Sequence, residues 1–349
     1  MLAYVRYRLP GETLINEITT HKSPLQCASI SEIPQQKGYV FAPFQKNEDN
    51  PLWFIPADEN KCWEQPSEVV SFSSDFTIEE ANREEYAQAF AACQNSLLQG
   101  VLQKVVLSRT LKVRFSNSLS LEEQQHLFER ACITYPQSFV SLISLPAPWG
   151  TWLMATPEIL LSAEESTWRT MALAGTMEKT DDCFLTPATW SKKNCKEQQW
   201  VVDYISQQLD SIGYQYRKSD TYVRPAAHLL HLCTDFEITP PQHHSIYRIL
   251  EALHPTPAVC GWPTLQAKTI ITQIEPHDRE YYSGYSGPIS PDSAQLFVTL
   301  RCLHLLDDSA TLYAGGGLLA ESNESSEWQE TERKLKTMLR LFARRETRS

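Results

Sequence analysis

The chain has 349 residues, is 42% hydrophobic and 21% charged, and so has enough apolar material for one large domain or two ordinary ones. Its net charge of −11 argues against nucleic acid as a partner, although a buried pocket on an acidic protein can still take a small anion. Nine scattered cysteines without a C-x-x-C pair read as reduced thiols of a cytoplasmic protein, and the absence of an apolar leader or a spanning run of ~18 residues argues against a membrane location.

Residues 1 to 75 alternate short apolar runs with Pro and polar breaks. They read as a sheet-rich portion, with strands at Gly38 to Phe44 and Trp53 to Pro56. Thr77 and Glu80 make a capping box for a helix whose face is Tyr86, Phe90, Cys93 and Leu97, closed by Gly100. The β-branched run VLQKVVLSRTLKV follows, and Lys104 shares a face of it with Leu102 and Val106. Such a lysine either guards an edge strand or is desolvated and available as a base. Ser120 and Glu123 cap a second helix that Pro136 ends. A strand spans Ser138 to Leu145, and TWLMATPEILLSAE follows a turn. Pro157 interrupts its ladder. Glu158 is then either a strand end facing solvent or a carboxylic acid of raised pKa in an apolar wall. MALAGT ends in Gly175 and Thr176, which offer backbone and hydroxyl donors.

A helix over Lys196 to Ile212 turns Val201, Tyr204, Ile205, Gln208 and Ile212 inward. Glu197 lies on the same stripe and needs a partner. Water at the helix end would serve, and so would a metal ion shared with Glu327. The following strand ends in HLLHLCT, where His231 reads as a core histidine, and His243 with His244 reads as a surface pair. LHPTPAVCGWP is a fixed turn, and YYSGYSGPI is another turn with glycines. Leu296 to Leu306 reads as one strand carrying Arg301, which calls for an anion or a structural carboxylate. Cys302 and His304 lack a second ligand pair, which disfavours zinc. The richest stretch is Tyr313 to Lys334. Gly315 to Gly317 allow backbone N–H groups to approach an anion. Ser326 with Gln329 reads as a capping box. Glu327, Glu330 and Lys334 share one helix face, beside the core stripe Trp328, Leu335, Leu339 and Phe342. A solvated first turn with a Glu330–Lys334 pair would explain these charges. The preceding glycines favour a site for an anion and a divalent cation. No internal repeat or low-complexity linker is evident.

KVVLSR, ATPEILL, LAGT, HLCT, LHPTPAVCGWP, REYYSG, TLRC, YAGGGL and EWQETERKL occur in this order over residues 104 to 335. The set resembles the chorismate-utilising enzymes, and within them the isochorismate synthases. The resemblance implies a single α+β domain of two stacked, mostly antiparallel sheets flanked by helices. Residues 1–75 would be the sheet-rich portion of the same fold and 76–349 the chorismate-binding catalytic region. It implies Lys104 as the base that activates water and Glu158 as the acid that protonates the leaving hydroxyl. Glu197, Glu327 and Glu330 would surround a Mg²⁺ ion that holds the ring carboxylate of chorismate. Gly175, Thr176, His231, Tyr282, Arg301, Gly315, Gly317 and Lys334 match substrate-pocket positions. Members that add ammonia carry glutamine at the Lys104 position, so the resemblance implies a water user without an amidotransferase subunit. Ala174 stands where aminodeoxychorismate synthases carry a nucleophilic lysine. Isochorismate synthase remains, with salicylate synthase as the alternative. The menaquinone branch and a monomer are the expected setting. Gln198 and Cys260 depart from the common histidine and glycine.

Overall fold

The computed structural model describes residues 3–68, 72, 74–79, 81–164, 167–178, 186–187, 190–226, 229–240 and 245–343. Among the described residues, period-2 alternation builds two ten-stranded sheets whose neighbouring strands pair antiparallel. The first sheet has the spatial order Gly261–Trp262, Lys104–Phe115, Ser309–Leu318, Cys302–Leu306, Thr151–Thr156, Phe139–Ser144, Ala3–Arg8, Leu14–Thr20, Glu59–Glu64. The second has the order Gln215–Lys218, Leu229–Thr239, Thr167–Glu178, Ile159–Glu164, Ser293–Val298, Tyr285–Ile289, Gly38–Ala42, Leu52–Pro56, Leu25–Cys27. Phe76–Ile78 and Tyr222–Ala226 join them off these paths. Among the described residues the fold is α+β, a single domain of two stacked antiparallel sheets with six α-helices around them. Among the described residues no helix is long and apolar enough to cross a membrane.

The sheets stack through aromatic residues. The rings of Phe139 and Phe297 lie parallel at 4.1 Å, one from each sheet. The Tyr39 and Ser141 hydroxyls share a hydrogen bond of 2.7 Å across the same gap. Each fully buried Phe of this kind contributes roughly 1.5–3 kcal/mol. Strands from the first 64 residues complete both sheets, since Ala3–Arg8 pairs with Phe139–Ser144 and Gly38–Ala42 with Tyr285–Ile289. Helix Leu121–Thr134 packs Leu127, Phe128, Ala131 and Cys132 on the outer face of the first sheet. Helix Lys192–Ser211 packs Val201, Val202, Tyr204, Ile205 and Leu209 on the second.

Several local expectations are corrected. Thr77 lies in strand Phe76–Ile78, which pairs with the far end of Lys104–Phe115, so the helix begins later, at Arg83, capped by Asn82. Glu80, His243 and His244 lie outside the described residues. The next inward-facing helix starts at Lys192 rather than Lys196, with the Ser191 hydroxyl accepting from Asn194 N. Its stripe includes Val202 and Leu209 in place of Gln208 and Ile212, which are half-buried. Asn323, not Ser326, caps helix Glu324–Leu339, its carboxamide oxygen accepting from Ser326 N at 3.2 Å. The run Leu296 to Leu306 is not one strand: it leaves the second sheet at Val298 and enters the first at Cys302.

Candidate active site

The site forms where the chain crosses between sheets. Pro157 and Glu158 link Thr151–Thr156 in the first sheet to Ile159–Glu164 in the second. Thr299 to Arg301 make the return crossing. The crossings are tied together, with Val298 N donating to Glu158 O and Ala155 N to Arg301 O, each at 3.0 Å. Arg301 sits at φ +45°, a left-handed conformation uncommon for arginine and held by these bonds. Its position between two apolar strands buries the guanidinium, and burial pulls its pKa down.

Glu158 is 4% exposed. Burial pushes its carboxyl up to about 7, against the opposing pull of Arg301, Lys104 and Lys334. Of the two sequence readings for Glu158, the acid in an apolar wall is therefore the one that holds.

Strand Thr167–Glu178 bulges between Ala174 and Thr176, and Gly175 takes φ +66° there. Gln198 holds this bulge. Its Oε1 accepts from Ala174 N at 2.9 Å and its Nε2 donates to Ala172 O at 3.0 Å. Gln198 thus clamps the strand backbone at the start of the bulge. Cys260 lies in a separate apolar cluster. Opposite the bulge, burial pulls the His231 imidazole down to about 3, so the ring is neutral. Its Nδ1 is 3.0 Å from Gly175 O and its Nε2 is 3.5 Å from Arg301 Nη2. Arginine only donates, so the proton resides on Nδ1 and Nε2 accepts. His231 is a pocket residue, not the simple core histidine its surroundings in sequence indicated.

The glycine strand supplies the other wall. A Cβ on Gly315 would meet the Tyr282 hydroxyl at 2.8 Å, and one on Gly317 would lie 2.1 Å from Glu197 Oε1 and 3.1 Å from Lys104 Cε. A Cβ on Gly316 would lie 3.3 Å from Glu327 Oε2 and 3.8 Å from Glu330 Oε1. Three carboxylates therefore converge on one short stretch of backbone.

Each carboxylate has a lysine. Lys104 Nζ is 3.1 Å from Glu197 Oε1, an ion pair without good hydrogen-bond alignment, and its side chain is wholly buried. Lys334 Nζ is 2.7 Å from Glu330 Oε1 and donates to Gly315 O at 2.8 Å. Lys193 pairs with Glu327 Oε1. Burial pushes the Lys193 ammonium down, but Glu327, Glu197 and Glu330 outweigh it, and the net shift is up. Burial raises the Glu327 carboxyl, with Glu330 adding to it against Lys193. For Glu330, burial is outweighed by Lys334 and Lys193, and the net shift is down.

Among the described residues, no three His, Cys, Asp or Glu side chains form a ready-made metal cluster. Lysine ammonium groups intervene instead. The donor set still fits a hard divalent cation, because it is all carboxylate oxygen. Among the described residues Glu327 Oε2 is buried without a well-formed hydrogen bond, which leaves one oxygen available to such an ion.

Ten of the sequence-expected residues line one cavity of about 50 Å³: Glu158, Gly175, Thr176, Glu197, His231, Tyr282, Arg301, Gly315, Gly317 and Lys334. Lys104 adjoins it through Glu197 and Gly317, and Glu327 with Glu330 approaches at Gly316. Lys193 was missed, because a lysine in the first turn of an amphipathic helix reads as solvated. Only the Glu197 anomaly four residues later pointed towards it.

The sequence of this site can be set beside known proteins. A family profile described as "Chorismate binding enzyme" matches residues 54–343. The chain belongs to the chorismate-binding enzyme family. Within that family it is 34% identical to isochorismate synthase MenF of Haemophilus influenzae over 194 residues, 54% of this chain and 45% of that protein. It is 30% identical to isochorismate synthase EntC of Escherichia coli over 253 residues, 69% of this chain and 62% of that protein. The matches thus span about half to three-fifths of these relatives' lengths. In structure, this family member is similar to a 2,3-dihydroxybenzoate-specific isochorismate synthase, DhbC, from Bacillus anthracis, described as putative. The TM-score is 0.82 at 23% identity, covering 97% of this chain and 96% of that one. It is also similar to the menaquinone-specific isochorismate synthase MenF of Escherichia coli, with a TM-score of 0.81 at 18% identity, covering 98% and 89%. At these identities the two structures establish the fold.

Proposed function

We propose that this protein isomerises chorismate to isochorismate with Mg²⁺. The reading rests on one observation above all: a buried Glu158, whose carboxyl is pushed up to about 7, lines a cavity that a wholly buried Lys104 adjoins through Glu197. Lys104, in the free-amine form that a base requires, takes a proton as water adds to the ring carbon beside the carboxylate-bearing carbon. The ring double bonds shift, and Glu158 gives its proton to the departing hydroxyl. One water enters and one leaves, so the reaction balances as an isomerisation. Arg301, with His231 accepting from it, offers charge to a substrate carboxylate, and Gly175 and Thr176 offer donors.

Glu197, Glu327 and Glu330 would hold the Mg²⁺, which neutralises and orients the ring carboxylate when bound. Lys193 is then the ammonium that must yield its place on Glu327. Ala174 lines the cavity and can form no covalent adduct. We propose menaquinone synthesis as the route served, supported by the 34%-identical relative that carries the MenF name. A cytoplasmic monomer without an amidotransferase partner completes the reading.

Glu158 must be protonated to act as the acid. With its carboxyl at about 7, kcat should fall about tenfold per pH unit above that point, and Glu158→Gln should remove this limb. The same group binds its proton more tightly folded than unfolded, where the usual value is 4.5. Stability should therefore fall as pH rises from 4.5 to about 7, and thermal melts of Glu158→Gln should lose that slope.

The experiment for the reaction class is product analysis with chorismate and Mg²⁺, without glutamine or ammonia, beside a chelator control. Isochorismate without pyruvate is expected. Salicylate with pyruvate would move the protein to the lyase branch. Product only on addition of ammonia would overturn the role of Lys104.

A further inference from the structure

We propose that the protein carries a second, non-catalytic site that binds a small oxyanion, inorganic phosphate, between helix Arg83–Leu98 and helix Glu324–Leu339. A cavity of about 60 Å³ opens there, and it shares no lining residue with the active-site cavity. Its wall brings together Tyr86, Arg109, Asn82, His277 and Trp328.

Two residues of this wall each carry a buried polar atom with no hydrogen-bond partner among the described residues. Arg109 is 6% exposed, and its Nη1 makes no hydrogen bond. The rest of the guanidinium is fixed, with its centre 3.7 Å over the Trp328 ring and Nε donating to Thr331 Oγ1 at 2.7 Å. Tyr86 is 3% exposed, and its hydroxyl is also unpartnered. No carboxylate among the described residues pairs with Arg109. Glu332 acts on it from a distance but is engaged with Trp328 Nε1 at 3.0 Å. Burial accordingly pulls the Arg109 pKa down to about 10. An arginine left buried without an anion is costly, and it is the residue type suited to phosphate.

The third element is the start of a 16-residue helix. Ala81, Asn82, Glu85 and Tyr86 line the cavity at its N-terminus. Asn82 Oδ1 caps it by accepting from Glu85 N at 3.1 Å, which leaves the Asn82 NH₂ free to donate. First-turn amides and the helix dipole favour an anion here. Burial pulls the His277 imidazole down, so that ring adds no fixed charge. Glu85 is the one carboxylate lining the wall, exposed at the mouth, and Glu327, Glu330 and Glu324 act on the Tyr86 hydroxyl from behind it. A guanidinium, a phenol and a helix start on three elements of the wall offer several donors to an anion, and phosphate has more acceptor oxygens to use them than acetate has.

The test is calorimetric titration of the whole chain with potassium phosphate, without chorismate, against potassium chloride and acetate at matched ionic strength. The readout needs no turnover, so it is independent of the proposed reaction. One saturable phosphate site is expected, with acetate at least tenfold weaker. Tyr86→Phe removes only an unpaired hydroxyl and keeps the ring, so it should fold normally and bind phosphate about tenfold more weakly. Arg109→Gln should abolish binding. No saturable phosphate binding, or binding unchanged in Tyr86→Phe, would overturn the proposal. Acetate as tight as phosphate would overturn the phosphate assignment. Loss of binding in Arg301→Gln with retention in Tyr86→Phe would place the anion in the active-site cavity and overturn it equally.

Discussion

Lys104→Ala and Glu158→Gln should each lower kcat by about 10²–10⁴, the usual worth of a positioned base or acid. The two variants fail for different reasons. Gln at 158 keeps the shape of the side chain but has no proton to give, so substrate binding should persist. Ala at 104 removes the base and also leaves Glu197 without the ammonium now 3.1 Å away. Removing one member of a buried pair costs about 3–5 kcal/mol, so Lys104→Ala should also melt lower than wild type. Lys104→Met restores the bulk but not the charge, so it should recover only the packing part of the lost stability, and activity should not return. Steady-state kinetics beside thermal unfolding checks this. Retention of more than a tenth of wild-type kcat in both Lys104→Ala and Glu158→Gln would remove the acid–base assignment.

Gly317→Ala should be nearly as damaging, although it adds one methyl group and no charge. Its Cβ would stand 2.1 Å from Glu197 Oε1 and 2.8 Å from the carboxyl carbon. Real Cβ atoms do not come this close, so Glu197 must swing away and break its pair with Lys104. Displacing such groups by an ångström costs on the order of 10²-fold in rate. Gly316→Ala is the internal comparison. Its Cβ would meet Glu327 Oε2 at 3.3 Å, a contact that a few tenths of an ångström relieve. The expected order is thus wild type above Gly316→Ala, with Gly317→Ala far below. Equal activity in the two alanine variants would show that Glu197 is not held against this backbone.

The sequence exposed the site through violations of pattern. Lys104 on an apolar strand face, Glu197 on an inward helix stripe and Arg301 among Val and Leu are each costly unless paired. The structure brings all three to the same cavity region. Periodicity could not show what pairs them, because partners are set by long-range packing. Lys193 is the example: its helix turn looks solvated, yet tertiary contact seats it on Glu327. The crossing at Thr299 to Arg301 was hidden for a related reason. No Gly or Pro interrupts Leu296 to Leu306, and the break comes from two sheets competing for one apolar run. The Thr77 cap failed because a neighbouring strand offered backbone partners first. Tyr282 carried no anomaly of its own, and only resemblance marked it, whereas the run Gly315 to Gly317 had already pointed to an anion site.

In the proposed reaction solvent water supplies the new hydroxyl while the old one leaves. Turnover of chorismate in ¹⁸O-labelled water, with the isochorismate read by mass spectrometry, is the test. One ¹⁸O atom per product is expected, on the ring carbon beside the carboxylate-bearing carbon. Unlabelled isochorismate would mean that the original hydroxyl migrates within the ring, and the roles given to Lys104 and Glu158 would be contradicted.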